Sequence, residues 1–169
     1  MRLRNLELKD APLMYEWMKD ETVTRWFRFN TDNITIESTK EFILENDNKD
    51  KVNYHYAIVD DNDEYLGTVS LKNIDYDDLN GEYAIVLRKM AQGKGVGSFA
   101  THEIQRIAFE ELGLHRLYLN VLSDNVHAWK LYEYWGFIYE GESVDSIKVR
   151  GKYKSLKWYR KLKSEYIVG

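Results

Sequence analysis

The chain has 169 residues, of which 44% are hydrophobic, and this composition predicts one folded domain over residues 1–169 and excludes a disordered chain. It contains no cysteine, which excludes disulfides, thiolate metal sites and a cysteine nucleophile, and which fits a cytoplasmic location. The net charge of -4 is spread along the chain, and no uncharged stretch approaches the roughly 18 residues of a membrane-spanning helix, so neither nucleic acid nor a membrane is an expected partner.

The first half of the chain is predicted to contain one strand, two helices and a meander of three strands. Apolar and polar residues alternate in RLRNLEL, residues 2–8, which predicts an edge strand. Asp10 directly precedes APLMYEWMKD, so we expect its side chain to cap a helix that has Pro12 in the first turn. A second helix is predicted over residues 35–46, and the strands are predicted over residues 54–60, 64–74 and 81–87.

The second half of the chain alternates between helices and strands. Apolar residues at helical spacing predict a helix over residues 95–112, which ends at Gly113. The elements predicted after it are a strand over residues 115–122, a helix over residues 125–135, and two strands over residues 136–144 and 154–162. This order predicts an α+β fold of about seven strands, with one βαβ crossover between Tyr83 and Leu122.

A glycine-rich loop lies inside this crossover, between the end of one strand and the start of the next helix. The loop is QGKGVG, from Gln92 to Gly97, and its three glycines stand at alternate positions. Free N–H groups and the helix dipole attract an anion at a helix start, most often phosphate, and glycines let the backbone approach it. The loop therefore predicts a phosphate-binding site, and a plain connecting loop is the alternative.

Two common phosphate-binding motifs fit this loop poorly. A Walker A loop needs Ser or Thr directly after its lysine, whereas Lys94 is followed by Gly95. GVGSFA matches the Gly-x-Gly-x-x-Ala pattern of dinucleotide-binding proteins, but residues 88–94 separate it from the strand. The ribose-binding acid, expected about 20 residues later, would fall near Leu117 inside a strand. An NAD(P)-binding oxidoreductase is kept as an alternative function.

A third pattern covers both the loop and a later segment. Gln92, Gly95 and Gly97 fit Gln-x-x-Gly-x-Gly. The pattern Asn-x-x-Ala-x-x-x-Tyr-x-x-x-Gly-Phe is fitted by Asn125, Ala128, Tyr132, Gly136 and Phe137. Together with the order of elements, these motifs resemble the Gcn5-related N-acetyltransferase (GNAT) family over about residues 1–162. The resemblance implies a mixed, mostly antiparallel sheet with helices on both faces, and acetyl transfer from acetyl-CoA to an amine by direct nucleophilic attack.

The resemblance also implies where acetyl-CoA binds. Its pyrophosphate would bind backbone N–H groups of the loop residues Gln92, Gly93, Lys94, Gly95, Val96 and Gly97. Its pantetheine arm would contact Asn125 and would pair with the main chain of Ile85, Val86 and Leu87 almost as an added strand. The thioester would lie where the two parallel strands splay apart. A protein of this fold that senses acyl-CoA without turnover is a further alternative.

Tyr132 and Glu82 are the candidate catalytic residues. By its place in the second motif Tyr132 would stand near the sulfur, where a phenol with a pKa near 10 can donate a proton to the leaving thiolate, although packing alone would also explain it. Glu82 matches a position where many relatives have a carboxylate that takes the proton of the amine, and a solvated strand-end charge is the equal alternative. The four histidines leave a histidine base open, and no metal-ligand spacing occurs, so no metal is expected.

The acceptor is expected to be a primary amine of a small molecule or a peptide, selected by the first helices and the last strands. Four aromatic residues are candidates either for the wall of its pocket or for simple cover of the sheet: Trp17, Trp26, Phe27 and Phe29. The tail resembles the branch of polyamine, ribosomal-protein N-terminal and amino-sugar acetyltransferases, but Ser155 stands where many of these have Asp. A late exposed strand or the acidic hairpin at residues 60–64 offers a surface for a homodimer.

Overall fold

The computed structural model of the protein describes residues 1–166. The strands are β1 (Arg2–Asn5), β2 (Tyr54–Val59), β3 (Tyr65–Asp75), β4 (Asn80–Leu87), β5 (Arg116–Leu122), β6 (Ile138–Val149) and β7 (Lys152–Leu162). The helices are α1 (Ala11–Met18), α2 (Glu21–Thr24), α3 (Ile36–Glu45), α4 (Val96–Arg106) and α5 (Val126–Tyr134). No helix within residues 1–166 is long and apolar enough to cross a membrane.

The strands form one mixed sheet in the order β1-β2-β3-β4-β5-β7-β6. Neighbouring strands run antiparallel, except for β4 and β5, which are parallel because α4 carries the chain back across the sheet between them. β1 and β6 are the two edges of the sheet. The predicted α+β fold, with seven mostly antiparallel strands and one central crossover, is confirmed.

Helices cover both faces of the sheet. Successive residues of a strand point to opposite faces, and the middle of β2 shows this alternation. Ala57 and Val59 belong to a buried cluster with Met14 of α1. Ile58, between them, belongs to a second cluster with Ile104 of α4. All five side chains are at most 1% exposed, so the sheet has one apolar core on each face and the predicted cover on both faces is confirmed.

The entry of the chain into α1 differs from the prediction. β1 ends at Asn5 because a 3-10 turn, Leu8–Asp10, leads directly into the helix. The Asp10 carboxylate makes no capping bond to α1; it accepts the Glu7 N–H at 2.8 Å and an Arg4 guanidinium N–H at 2.7 Å. The prediction that Asp10 caps α1 is therefore wrong, and Asp10 closes the turn before the helix. Pro12 does lie in the first turn, as predicted.

Further differences concern α2, the crossover helix and the last two strands, which begin at Ile138 and Lys152. α2 is a short helix in a stretch for which no element was predicted, and Asp20 caps it by accepting the Thr22 N–H at 2.9 Å. The long crossover helix ends in a π turn, Ile107–Glu111. β6 continues to Val149, because the hairpin turn to β7 falls at Arg150 and Gly151, which both have positive φ.

Candidate active site

The two parallel strands at the crossover separate after a short paired stretch. β4 pairs with β5 at Asn80, Gly81 and Glu82, and beyond Glu82 no further pair joins them within residues 1–166. A cleft of about 880 Å³ opens there between the strands, the glycine loop, α5 and the segment that follows α1. From Tyr83 to Leu87, β4 therefore presents a free backbone edge to the cleft, which an extended ligand can pair with.

Arg88 fixes the chain between the end of β4 and the glycine loop. Its guanidinium is buried and donates to the Tyr65 carbonyl at 3.0 Å, to Glu64 at 2.8 Å and to Glu16 at 3.1 Å. Its backbone N–H donates to the Leu66 carbonyl at 2.9 Å. The loop thus leaves the sheet from an anchored position, which sets where its N–H groups point.

The glycine loop follows a 3-10 turn, Lys89–Ala91, and leads into the first turn of α4. The Gln92 N–H is already bonded to the Lys89 carbonyl at 3.2 Å, so it is not one of the free donors. The free donors come later, because the first residues of a helix have no intrahelical acceptor for their N–H groups. Gly95 stands at the N-cap of α4. The backbone at the start of α4 can therefore donate to an anion, which is the arrangement that a phosphate-binding loop needs.

Two glycines of the loop have backbone angles that other residues rarely adopt. Gly93 has φ +72° and Gly95 has φ +77°, and a Cβ built at either position meets no atom within 4 Å. Glycine at these two positions therefore allows the backbone to adopt the left-handed conformation, and the absence of a side chain leaves open space in front of the loop. This space gives the phosphates of CoA room to approach, so the loop fits that group.

Gly97 is required for a different reason, which is close packing inside the protein. A Cβ at Gly97 would lie 3.0 Å from two ring carbons of Trp135. Trp135 follows α5 and donates its indole N–H to the Ser98 hydroxyl at 3.0 Å, and its ring centroid is 5.9 Å from that of Tyr132. The start of α4 and the end of α5 are thus packed together at Gly97, which the loop pattern alone did not indicate.

Gly97→Ala is expected to destabilise the protein by about 1–3 kcal/mol, because the added methyl group forces the Trp135 ring to move. Urea denaturation would measure this change in the free energy of unfolding. The control is the double variant Gly97→Ala with Trp135→Leu, in which the new methyl group has room. In the Trp135→Leu background, the further loss caused by Gly97→Ala should be smaller than the loss that Gly97→Ala causes in the wild-type protein. An equal loss in both backgrounds would contradict this explanation.

Tyr132 lies on α5 against an aromatic cluster and lines the cleft. Its ring centroid is 6.0 Å from that of Tyr83 and 6.2 Å from that of Phe137, both in edge-on contacts. Desolvation in this surrounding raises the pKa of Tyr132 to about 12. No residue within 1–166 forms a hydrogen bond with its hydroxyl. The phenol is therefore protonated at neutral pH, and its proton is available to a group in the cleft.

Asn125 has a structural role besides the predicted one. Its side-chain oxygen accepts the Ala128 N–H at 3.3 Å and so caps α5. The side chain also lines the cleft, where its amide N–H₂ group can donate to a ligand. One residue thus both starts the helix that carries Tyr132 and faces the predicted path of the pantetheine arm.

Glu82 is the last residue of β4 that pairs with β5, so it stands where the strands begin to separate. Its carboxylate accepts from the Lys72 ammonium at 3.3 Å and from the Asn73 amide at 2.9 Å, and the Arg28 guanidinium lies 4.0 Å away. A carboxylate has about four acceptor sites, so one further water or amine can still bind it. The side chain of Glu82 is 12% exposed, so the alternative of a solvated strand-end charge does not describe it.

Most of the predicted site residues gather around the cleft. Those that line it are Glu82, Ile85, Val86, Leu87, Gln92, Gly93, Gly95, Gly97, Asn125 and Tyr132. Lys94 and Val96 do not line it; Lys94 points to solvent, and Val96 is buried in the core, so only its backbone faces the loop. Residues that line the cleft and were missed include Arg25, Arg28, Lys72, Asn120 and Trp135. Trp135 occupies a variable position of the second motif, and no motif covers the others, since they come from separate parts of the chain.

The aromatic residues proposed for the acceptor pocket divide into two groups. Trp26, Phe27 and Phe29 line the cleft. Trp17, which belongs to α1, instead packs in the core and donates its indole N–H to the Tyr65 hydroxyl at 3.0 Å. Of the histidines, His127 lines the cleft, whereas His55 is buried and bonded to the Ser70 hydroxyl at 2.8 Å.

The family model of the acetyltransferase (GNAT) domain matches residues 1–138, most of the chain. The protein therefore belongs to the GNAT acetyltransferase family, and the predicted membership is confirmed. This family uses acetyl-CoA, so the protein is an acetyl-CoA-dependent N-acetyltransferase, and the NAD(P)-binding alternative is not supported.

Individual relatives agree with this assignment. The chain is 30% identical over 118 residues to a spermidine N(1)-acetyltransferase of Vibrio cholerae, over 70% of this chain and 68% of that protein. It is 27% identical over 169 residues to the putative ribosomal N-acetyltransferase YdaF of Bacillus subtilis, over 97% of this chain and 92% of that protein. It is also similar to the structure of the Vibrio cholerae spermidine N-acetyltransferase in complex with CoA and spermine, with a TM-score of 0.88 and 25% identity over 97% of this chain and 96% of that chain.

Proposed function

We propose that the enzyme binds acetyl-CoA along the free edge of β4 and transfers the acetyl group to a primary amine of a small molecule. The single observation that carries this proposal is the order of features along the cleft. The anion-binding loop lies at the Leu87 end of β4, the stretch from Ile85 to Leu87, which pairs with β3 but not with β5, follows, and Glu82 lies at the opposite end. Acetyl-CoA supplies the acetyl group as an activated thioester.

Two residues move protons in this mechanism. When the amine attacks the carbonyl carbon, a C–N bond forms and the C–S bond breaks, and Tyr132, which its raised pKa of about 12 keeps protonated, donates its phenolic proton to the leaving sulfur. The nitrogen then gives its excess proton to the Tyr132 phenolate, which returns Tyr132 to its protonated form. Glu82 accepts a proton from the incoming ammonium, directly or through one water, which frees the lone pair for attack. The backbone N–H groups at the start of α4 hold the phosphates of the donor.

The proposed role of Glu82 predicts a specific change in the pH profile. Glu82→Gln is expected to lower kcat/KM about 10²-fold near neutral pH, where the amine is mostly ammonium. The loss should shrink as the pH approaches the pKa of the acceptor, because the amine then arrives unprotonated. An equal loss at every pH would contradict a role as base and would point to the ion pair with Lys72.

The function is tested by thiol release from acetyl-CoA with three separate acceptor pools: polyamines, amino sugars, and short peptides with free N-termini. We expect release with at least one pool, and an equal amount of N-acetylated product by mass spectrometry. Binding of acetyl-CoA without release from any pool would contradict the proposal and would favour the acyl-CoA sensor.

Three broader predictions accompany this proposal. The composition predicts a cytoplasmic enzyme with one domain over residues 1–169. The third concerns a homodimer, for which either β6, an edge strand with exposed Tyr139 and Val144, or the acidic hairpin at residues 60–64 offers a surface. Sedimentation equilibrium would measure the oligomeric state.

A further inference from the structure

Positive charge is in excess at the acceptor end of the cleft. Lys72 and Arg28 approach the same carboxylate, that of Glu82, at 3.3 Å and 4.0 Å, so one anion serves two cations. Arg25 lines the same cleft, and no carboxylate within residues 1–166 lies within ion-pairing distance of it. The cleft's other carboxylate, Asp124, is held by Lys154 at 2.5 Å.

Arg28 and Lys72 are too far from the glycine loop to serve the diphosphate of CoA. Glu82 and Leu87 are five residues apart on β4, which corresponds to about 17 Å in an extended strand. The loop begins beyond Leu87, at the far end of that distance. Arg28 and Lys72, which lie beside Glu82, are therefore placed to meet the acceptor molecule.

The aromatic wall beside Arg28 places a second requirement on the acceptor molecule, which must suit both an apolar surface and a cation. Phe27 and Phe29 flank it in sequence, their ring centroids are 5.2 Å apart, and both line the cleft with Trp26. Arg28 is 44% exposed, so its guanidinium retains free donors that can bind a carboxylate or a phosphate in a bidentate manner. A polyamine would bring further positive charge to this end, where like charges repel.

We propose that the preferred acceptor carries an anionic group, a carboxylate or a phosphate, next to its primary amine and on a ring-sized apolar body. Arg28, with Lys72, binds the anion, the aromatic wall contacts the body, and Glu82 faces the amine. This inference rests on the proposed acetyl transfer and adds the chemical class of the acceptor. It also separates this enzyme from relatives whose names specify spermidine.

Binding of matched acceptor pairs tests this inference without requiring turnover. Isothermal titration calorimetry, with and without saturating CoA, would compare tyrosine with tyramine for the carboxylate, and glucosamine 6-phosphate with glucosamine for the phosphate; spermidine is the fifth ligand. We expect the member that carries the carboxylate or phosphate to bind, in at least one pair, about tenfold or more tightly than the partner that lacks it, as one charged hydrogen bond provides, and spermidine to bind more weakly than that member.

Arg28→Gln should remove most of this preference, with a loss of about tenfold for the ligand that carries the carboxylate or phosphate and less than twofold for the ligand that lacks it. The control is Lys40→Gln on α3, an exposed cation outside the cleft that changes the net charge by the same amount. Equal binding within both pairs, tighter binding of spermidine, or an equal effect of both variants would overturn the inference. If one of those results were obtained and the enzyme still acetylated spermidine or tyramine, the proposed function would stand and only the inference about the acceptor would fail. If the enzyme bound anionic ligands selectively but acetylated no acceptor, the proposed function would fail.

Discussion

Gly95→Val is expected to weaken the binding of CoA at least about a hundredfold. The side chain would project into the open space in front of the loop, where a Cβ meets no protein atom within 4 Å and where the phosphates are proposed to bind. Loss of one or two hydrogen bonds to a charged group costs about 1.5–3 kcal/mol each, and a hundredfold change in the dissociation constant corresponds to about 2.7 kcal/mol. Isothermal titration calorimetry with CoA would measure the change.

Gly113→Val provides a matched control for this variant. Gly113 has φ +70°, close to the +77° of Gly95, its Cβ would also meet nothing within 4 Å, and it lies outside the cleft. Both valines should therefore cost a similar 1–3 kcal/mol of backbone strain, roughly, in the free energy of unfolding. CoA binding should be lost only in Gly95→Val. Equal losses in both variants would indicate a general folding defect, and unchanged binding in Gly95→Val would remove the loop from the site.

Tyr132→Phe is expected to lower kcat about 10³-fold while the dissociation constant of acetyl-CoA changes less than about twofold. The phenol is proposed to act only when the thiolate leaves, so its loss affects the transition state and leaves ground-state binding intact. Its hydroxyl has no hydrogen-bond partner within residues 1–166, so the free energy of unfolding should change by no more than about 0.5 kcal/mol. Single-turnover kinetics and equilibrium binding would separate the two effects.

The pH dependence of kcat adds a second readout. Since burial raises the pKa of Tyr132 to about 12, the phenol should stay protonated over the accessible pH range, and kcat should show no decrease from its ionisation between about pH 7 and 10. Tyr134→Phe is the control, because Tyr134 lies on the same helix and is 80% exposed. A loss of acetyl-CoA affinity without a loss of kcat would mean that Tyr132 binds the donor and does not act as the acid.

Local patterns were sufficient for most of the fold and for one half of the site. Strand alternation and helical spacing depend on which face of an element is buried, so they identified the seven strands and the crossover. The glycine loop and the Asn125–Tyr132 motif are each a continuous stretch of sequence, and the structure brings the two stretches to one cleft.

The acceptor half of the site could not be predicted because it depends on contacts between distant segments. Arg28 comes from the segment after α2 and Lys72 from β3, and the fold brings both to Glu82 of β4, which is paired with Lys72 in the sheet. The Asp10 error has the same origin, since its partner Arg4 lies in β1 and competes with the expected helix cap. Sequence spacing specifies neither contact.

The divided sheet also affects the thermal stability of the enzyme. Backbone pairing joins the β1–β4 half to the β5–β7 half only at Asn80, Gly81 and Glu82 in the part of the chain from residue 1 to 166. A ligand that fills the remaining gap contacts both halves and has no binding site in the unfolded chain. At 100 times its dissociation constant such a ligand adds about 2.7 kcal/mol to the free energy of unfolding. We therefore expect acetyl-CoA to raise the melting temperature, so that the supply of this metabolite sets how long the folded enzyme survives heat and proteolysis.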